Sequence, residues 1–175
     1  TTLFRSGTED LSTIAWSGDR GLTLVEQGPF GVIGAVCPST NPSETVICNT
    51  MGMLAAGNTV VFAPHPSAKT VSNLAIDMIN RASIEVGGPE NIAVAAKEPT
   101  MDVSKIIFAH KDISLLCATG GPGVVTTVLS SGKRAMGAGA GNPPVLVDET
   151  ANIQKAAEDI VNGATFDNNL PCIAE

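Results

Sequence analysis

The chain has 175 residues, enough for one domain with a core of its own. It carries 18 glycines and 11 prolines with only 15% charged and 3% aromatic residues, a profile that suits a turn-rich α/β protein and excludes a disordered chain. A net charge of −7, with ten scattered Lys and Arg, argues against a nucleic-acid partner, and no apolar run nears the roughly 20 residues that a bilayer span requires.

In chain order, the first thirty residues are polar and irregular, apart from Leu22–Val25, whose alternation predicts a strand. No basic segment followed by an apolar one opens the chain, so no signal peptide is expected. The continuous apolar run Gly31–Cys37 reads as a strand buried on both faces and stops at Pro38. Asn41-Pro42-Ser43-Glu44 predicts a helix start, with Asn41 as cap, Pro42 in the first turn and Glu44 as the acid of a capping box. That helix runs to about Ala56 and ends at Gly57; Asn58–Phe62 is the next strand. Val71, Leu74, Ala75, Met78, Ile79 and Ala82 mark one apolar helix face, closed by Gly87-Gly88-Pro89.

A short strand near Asn91–Val94 and a short helix carrying Val103, Ile106 and Ile107 come next. Ser114–Ala118 is another apolar strand, breaking at Thr119-Gly120-Gly121-Pro122-Gly123 into a helix with Val124, Val125, Val128 and Leu129 on its buried side. A last strand is expected at Val145–Val147, before a helix carrying Ile153, Ala156, Ala157, Ile160 and Val161 and closed by Gly163. Alternating strands and helices imply an α/β fold: a mainly parallel sheet with helices on both faces. Residues 1–30 then form an N-terminal segment, 31–164 the α/β body, and 165–175 a further segment. Thr165–Glu175 do not resemble a natural terminus, so the chain reads as a fragment.

Several residues could carry chemistry. Gly120–Gly123 place bare backbone between a strand and a helix, where free N–H groups and the helix dipole attract a diphosphate; a plain strand-to-helix turn uses the same residues, and GxGxxG is absent. The four cysteines show no CxxC and no His at ligand spacing, which favours free thiols in a reducing cytosol and no metal. Cys37, Cys48 and Cys117 sit in apolar strands or a helix and are expected in the core. Cys172 follows the turn-prone Asn168-Asn169-Leu170-Pro171, where it is either a reachable nucleophile or an exposed surface thiol. His65, in Pro64-His65-Pro66, and His110, closing a short helix, could each be a base, but neither defines a triad.

Five segments occur in order: Pro38-Ser39-Thr40-Asn41-Pro42, Phe62–Lys69, Ala118-Thr119-Gly120-Gly121, Gly137–Pro144 and Phe166–Cys172. Together they resemble the CoA-acylating aldehyde dehydrogenases that oxidise propionaldehyde or acetaldehyde, often within bacterial microcompartments. The similarity runs from about Leu22 onward. It implies an α/β, Rossmann-like coenzyme-binding domain over residues 31–164, a catalytic domain that starts at 165–175 with the nucleophile loop, an oligomerisation arm that would use the strand in residues 1–30, and a homo-oligomeric full-length enzyme in the cytoplasm, within a microcompartment shell. By this resemblance Cys172 is the nucleophile: it attacks a short aldehyde, NAD takes the hydride, and coenzyme A takes the acyl group from the thioacyl-enzyme. Pro38 and Ser39 would lie beside the coenzyme, Thr119, Gly120 and Gly121 would form the turn packed against it, and Ala138 and Gly139 would border it. This chain alone would be inactive.

The departures from the wider superfamily are informative. Hydrolytic members carry a Glu that activates water; an ungapped match puts Ala138 there, thirty-four positions before Cys172. Without that base, a thiol such as coenzyme A outcompetes water. The superfamily's oxyanion Asn aligns with Thr40, with Asn41 one place later, so Thr40 is a candidate donor and Asn41 the helix cap. The Lys that holds the adenosine ribose aligns with Ala63, which leaves the His65 region for that contact. Two other readings stand beside this one: a hydrolytic aldehyde dehydrogenase, and a coenzyme-binding fragment without activity.

Overall fold

The computed structural model describes residues 8–141 and 143–169. They fall into two compact units, Thr1–Ala138 and Gly139–Glu175. The first holds an antiparallel hairpin of β1 (Ile14–Gly18) and β2 (Gly21–Val25), paired from Ile14↔Val25 to Gly18↔Gly21. The expected strand at Leu22–Val25 is thus one arm of a hairpin whose other arm is Ile14–Gly18. Both faces carry exposed apolar side chains, Ile14 and Trp16 on one, Leu22 and Leu24 on the other.

The rest of the first unit is a five-stranded sheet. Its elements are β3 (Val32–Val36), α1 (Pro42–Ala55), β4 (Thr59–Ala63), α2 (Lys69–Glu85), β5 (Ala93–Ala95), α3 (Met101–Ala109), β6 (Ile113–Thr119), α4 (Pro122–Leu129) and β7 (Arg134–Ala138). The strands lie in the order β5-β4-β3-β6-β7 and every pairing is parallel. Side chains alternate across a strand, so the sheet feeds two cores. Ala35, Cys37, Val60 and Phe62 pack with Val46 of α1 and Ala75 and Ile76 of α2. Ala63, Leu116 and Ala118 pack with Ile107 and Phe108 of α3 and Val128 of α4 on the other face. This is the Rossmann-like arrangement expected from the sequence, with helices on both faces.

Buried Asn58 ties the central strand to its neighbour. Its Oδ1 accepts the backbone N–H groups of Phe30 (2.7 Å) and Gly31 (3.0 Å), and its Nδ2 donates to the carbonyl of Met53 at 3.0 Å. Where β3 begins is therefore set by one amide side chain at the end of α1.

Several local expectations are corrected. The fifth strand of the sheet is Arg134–Ala138, whereas Val145–Val147 lie in an irregular stretch with no strand partner among the described residues. The helix of the second unit, α5 (Ile153–Thr165), runs two residues past Gly163; Ile153 and Val161 are exposed on it, and Ala156 and Ile160 only half-buried. On α2 the buried side chains are Ser72, Ala75 and Ile76, while Val71, Leu74 and Met78 are exposed. The face turned to the core is thus Ser72, Ala75 and Ile76, with Ile79 packed against it, rotated from the expected stripe because buried Ser72 reads as polar in the pattern. Cys48, on α1, is exposed rather than in the core. Asn41 does not cap α1: at φ −142° and ψ 63° it is turned away from the extended conformation of a cap, and its side chain makes no cap hydrogen bond. Glu44 accepts from its neighbour Ser43 Oγ instead of closing a capping box.

Candidate active site

All five parallel strands deliver their loops to one edge of the sheet, the carboxyl edge. Pro38-Ser39-Thr40-Asn41 follow β3, His65 follows β4, Gly120 and Gly121 follow β6 behind its last residue Thr119, and Ala138 ends β7. The chain leaves β3 towards β4 and later enters β6 on the other side of β3. Divergence of that kind opens a crevice between the two strand ends, the usual place for a ligand in an open α/β sheet. Val36 pairs with Ala118, so the Pro38 loop and the Gly120 turn are next to each other at that crevice.

The turn itself is built from backbone. Gly121 precedes α4 with no side chain capping the helix, and Pro122 occupies the first turn, so the first N–H groups of α4 have no side-chain acceptor. A Cβ at Gly121 would meet nothing within 4 Å, while one at Gly120 would come within 3.1 Å of Val124 Cγ1. An uncapped helix start beside bare backbone fits the diphosphate of a dinucleotide. Across the turn, Thr119 pairs with Ala138, and Gly120 N–H donates to the Ala138 carbonyl at 3.2 Å. Gly139 follows Ala138 directly.

Thr40 and Asn41 form a pair. The Thr40 hydroxyl donates to Asn41 Oδ1 at 3.0 Å, and the Asn41 carbonyl accepts the Thr45 hydroxyl at 2.8 Å. His65 caps the short 3-10 turn Pro66–Ala68: its Nδ1 accepts the Ser67 N–H at 3.3 Å and lies 2.7 Å from Ser67 Oγ. The ring is thus held by Nδ1, and Nε2 takes no part in the turn. Ala63 is buried and contributes no side chain to the edge. His110 sits at the end of α3, where its Nδ1 accepts the Asp112 N–H at 3.3 Å. Cys172, the nucleophile expected from the sequence, lies outside the described residues.

Cys37 and Cys117, near the carboxyl ends of β3 and β6, are not poised as nucleophiles. Desolvation pushes the thiol of Cys37 up to about 12, with a contribution from Cys117, and raises that of Cys117 as well. Neither supplies a thiolate at neutral pH. Among the described residues no cluster of His, Cys, Asp or Glu could hold a metal, and no helix is long and apolar enough to cross a membrane. A concavity of about 640 Å³ within the second unit, lined by Val145, Leu146, Val147, Ile160 and Phe166, is apolar and contains none of the expected site residues. Two charged residues at the carboxyl edge escaped sequence reasoning. Lys69, the first residue of α2, forms an ion pair with Glu98 in the loop after β5. Their separation in sequence gives no signal of that contact.

A parallel sheet ordered β5-β4-β3-β6-β7, with a glycine turn at its switch point, defines a Rossmann-like α/β protein. The chain belongs to the aldehyde dehydrogenase family, whose model matches residues 4–175. It is 56% identical over 169 residues to the CoA-propanoylating propanal dehydrogenase of Citrobacter freundii, covering 97% of this chain and 37% of that one. Among solved structures, it is 73% identical, with a TM-score of 0.87, to a propionaldehyde dehydrogenase from the fucose utilisation bacterial microcompartment of Clostridium phytofermentans, over 97% of this chain and 39% of that one. It is also 61% identical, with a TM-score of 0.87, to the Rhodopseudomonas palustris propionaldehyde dehydrogenase with bound propionyl-CoA, over 97% and 37% of the two chains. The chain thus spans little more than a third of the length of these relatives.

Proposed function

We propose that this chain is the coenzyme-binding part of a CoA-acylating aldehyde dehydrogenase, which converts a short aldehyde, coenzyme A and NAD⁺ to acyl-CoA and NADH. The observation that carries the reading is Ala138. It stands at the carboxyl edge beside the Thr119–Gly121 turn, where hydrolytic relatives place a general base, and its methyl group cannot activate water. The relatives named above, CoA-propanoylating or crystallised with propionyl-CoA, support the same chemistry.

In this reading Cys172 adds to the aldehyde carbonyl and later carries the acyl group as a thioester until the thiol of coenzyme A displaces it. The bound nicotinamide coenzyme serves as hydride acceptor. The backbone of Gly120 and Gly121 and the start of α4 hold its diphosphate, Pro38 and Ser39 border it, and His65 faces its ribose. The oxyanion donor is Asn41 rather than Thr40. The Thr40 hydroxyl proton is committed to Asn41 Oδ1, whereas the Asn41 Nδ2 protons, which capping would not use either, remain for an oxygen that gains charge. The protein would work as a homo-oligomer in the cytoplasm, inside a microcompartment shell.

In the full-length protein, aldehyde-dependent NADH formation should require coenzyme A and vanish in Cys172→Ala. Robust turnover without coenzyme A would overturn the reading in favour of a hydrolytic enzyme.

A further inference from the structure

In dinucleotide-binding α/β sheets an acidic residue near the end of the second strand accepts the hydroxyl of the adenosine ribose and repels a 2′-phosphate. The second strand in chain order is β4, and the turn after it, Ala63-Pro64-His65-Pro66-Ser67-Ala68, carries no carboxylate. The first charge after that turn is Lys69. A lone cation there would welcome a 2′-phosphate. Lys69 is not alone, however. Its Nζ is engaged by the carboxylate of Glu98, which comes from the loop after the adjacent parallel strand β5. The two strands are in register over Val60–Phe62 and Ala93–Ala95, so both loops emerge at the same edge. The Glu98 side chain is 70% exposed and that of Lys69 is 38% exposed, so the pair is open to a ligand and ties no core residue.

We propose that Glu98, held by Lys69, sets coenzyme choice in this protein in favour of NAD⁺ over NADP⁺. Glu98 supplies from β5 the carboxylate that the end of β4 lacks, and it cancels the cation that a 2′-phosphate would otherwise meet. This rests on the reading that the carboxyl-edge crevice binds a nicotinamide coenzyme. Lys69 is a positioning residue as long as Glu98 is present, and becomes a phosphate ligand when it is not.

The test is direct binding of NAD⁺ and of NADP⁺ to the full-length protein by calorimetry, in the wild type, Glu98→Gln and Glu98→Gln/Lys69→Gln. The wild type should favour NAD⁺. Glu98→Gln should shift the affinity ratio towards NADP⁺ by about fivefold, the scale of one exposed charge interaction, with NAD⁺ affinity little changed. The double variant should lose most of that gain, and raised salt should reduce it. A ratio that does not move in Glu98→Gln, or affinities for both coenzymes that fall together as a merely structural tie would give, overturns the inference while leaving the coenzyme-site reading standing. A wild type that binds neither coenzyme overturns both.

Discussion

The backbone N–H of Gly120 donates to the carbonyl of Ala138 at 3.2 Å, one residue beyond the last register pair of β6 and β7, Thr119↔Ala138. This hydrogen bond fixes a methyl group next to the glycine turn of the proposed coenzyme site. The side chain at 138 is exposed within its own unit, so a larger one can be accommodated there.

Ala138→Glu should therefore convert part of the acyl transfer into hydrolysis. A general base contributes about 10² to 10⁴-fold, so NADH formation without coenzyme A should rise by at least about tenfold in the full-length variant, a threshold set below that range because the new carboxylate is not positioned by its neighbours. The measurement is the ratio of rates with and without coenzyme A. A ratio equal to that of the wild type would remove Ala138 as the reason for thiol preference.

Asn41→Ala should lower kcat by about 10² to 10³-fold if the amide donates to the oxyanion. Thr40→Val should cost less, since it removes only the hydroxyl that orients Asn41 Oδ1. Equal losses, or a larger loss at Thr40, would transfer the donor role to the hydroxyl.

Gly137→Ala tests the packing beneath the turn. A Cβ at Gly137 would lie 2.7 Å from Val125 Cγ1 and 3.4 Å from Leu129, so α4 must move away from β7 or the strand must shift. Overpacking of this kind costs about 1–3 kcal/mol, read as a lower denaturant midpoint. Coenzyme binding should weaken with it, because α4 carries the diphosphate-facing N–H groups.

Cys37 gives a pH prediction. Its thiol, ordinarily near 9.0, is pushed up to about 12 by burial and by Cys117. The unfolded chain therefore loses this proton at lower pH than the folded one. The contribution is fully present below about pH 9 and is lost as pH rises from there towards 12. Cys117, raised in the same direction, adds to the slope. Denaturant midpoints across that range should fall less steeply in Cys37→Ala. In the native state exposed Cys48 should react with a thiol reagent well before Cys37 does.

The elements that the sequence made legible are those whose apolar pattern decides their packing. The runs Gly31–Cys37 and Ser114–Ala118 became β3 and β6 because a parallel strand covered on both faces is apolar throughout. The strand β7 was hidden because it lies at the sheet edge and reads Arg134-Ala135-Met136-Gly137-Ala138, mostly exposed, with a glycine and a charge. Val145–Val147 carries strong strand propensity but pairs with no strand among the described residues, and propensity without pairing makes no strand. Around the site, the loops could be located because glycine and proline end the strands. The link from Thr40 to Asn41 Oδ1 and the link from Lys69 to Glu98 were not legible, since both depend on side-chain directions that spacing does not encode.

The strand order also bears on how the sheet is made. Its middle strand, β3, is the first of the five to leave the ribosome, and one of its two partners, β6, is made much later. Ile33 pairs with Leu115, eighty-two positions further along the chain. At about 5–20 residues per second, synthesis leaves that side of β3 without its partner for roughly 4–16 s. Through this interval β4 can cover one flank of the nascent strand, while the other stays an open apolar ribbon. Chaperone occupancy on the growing chain should therefore begin after β3 and end once Thr119 has emerged.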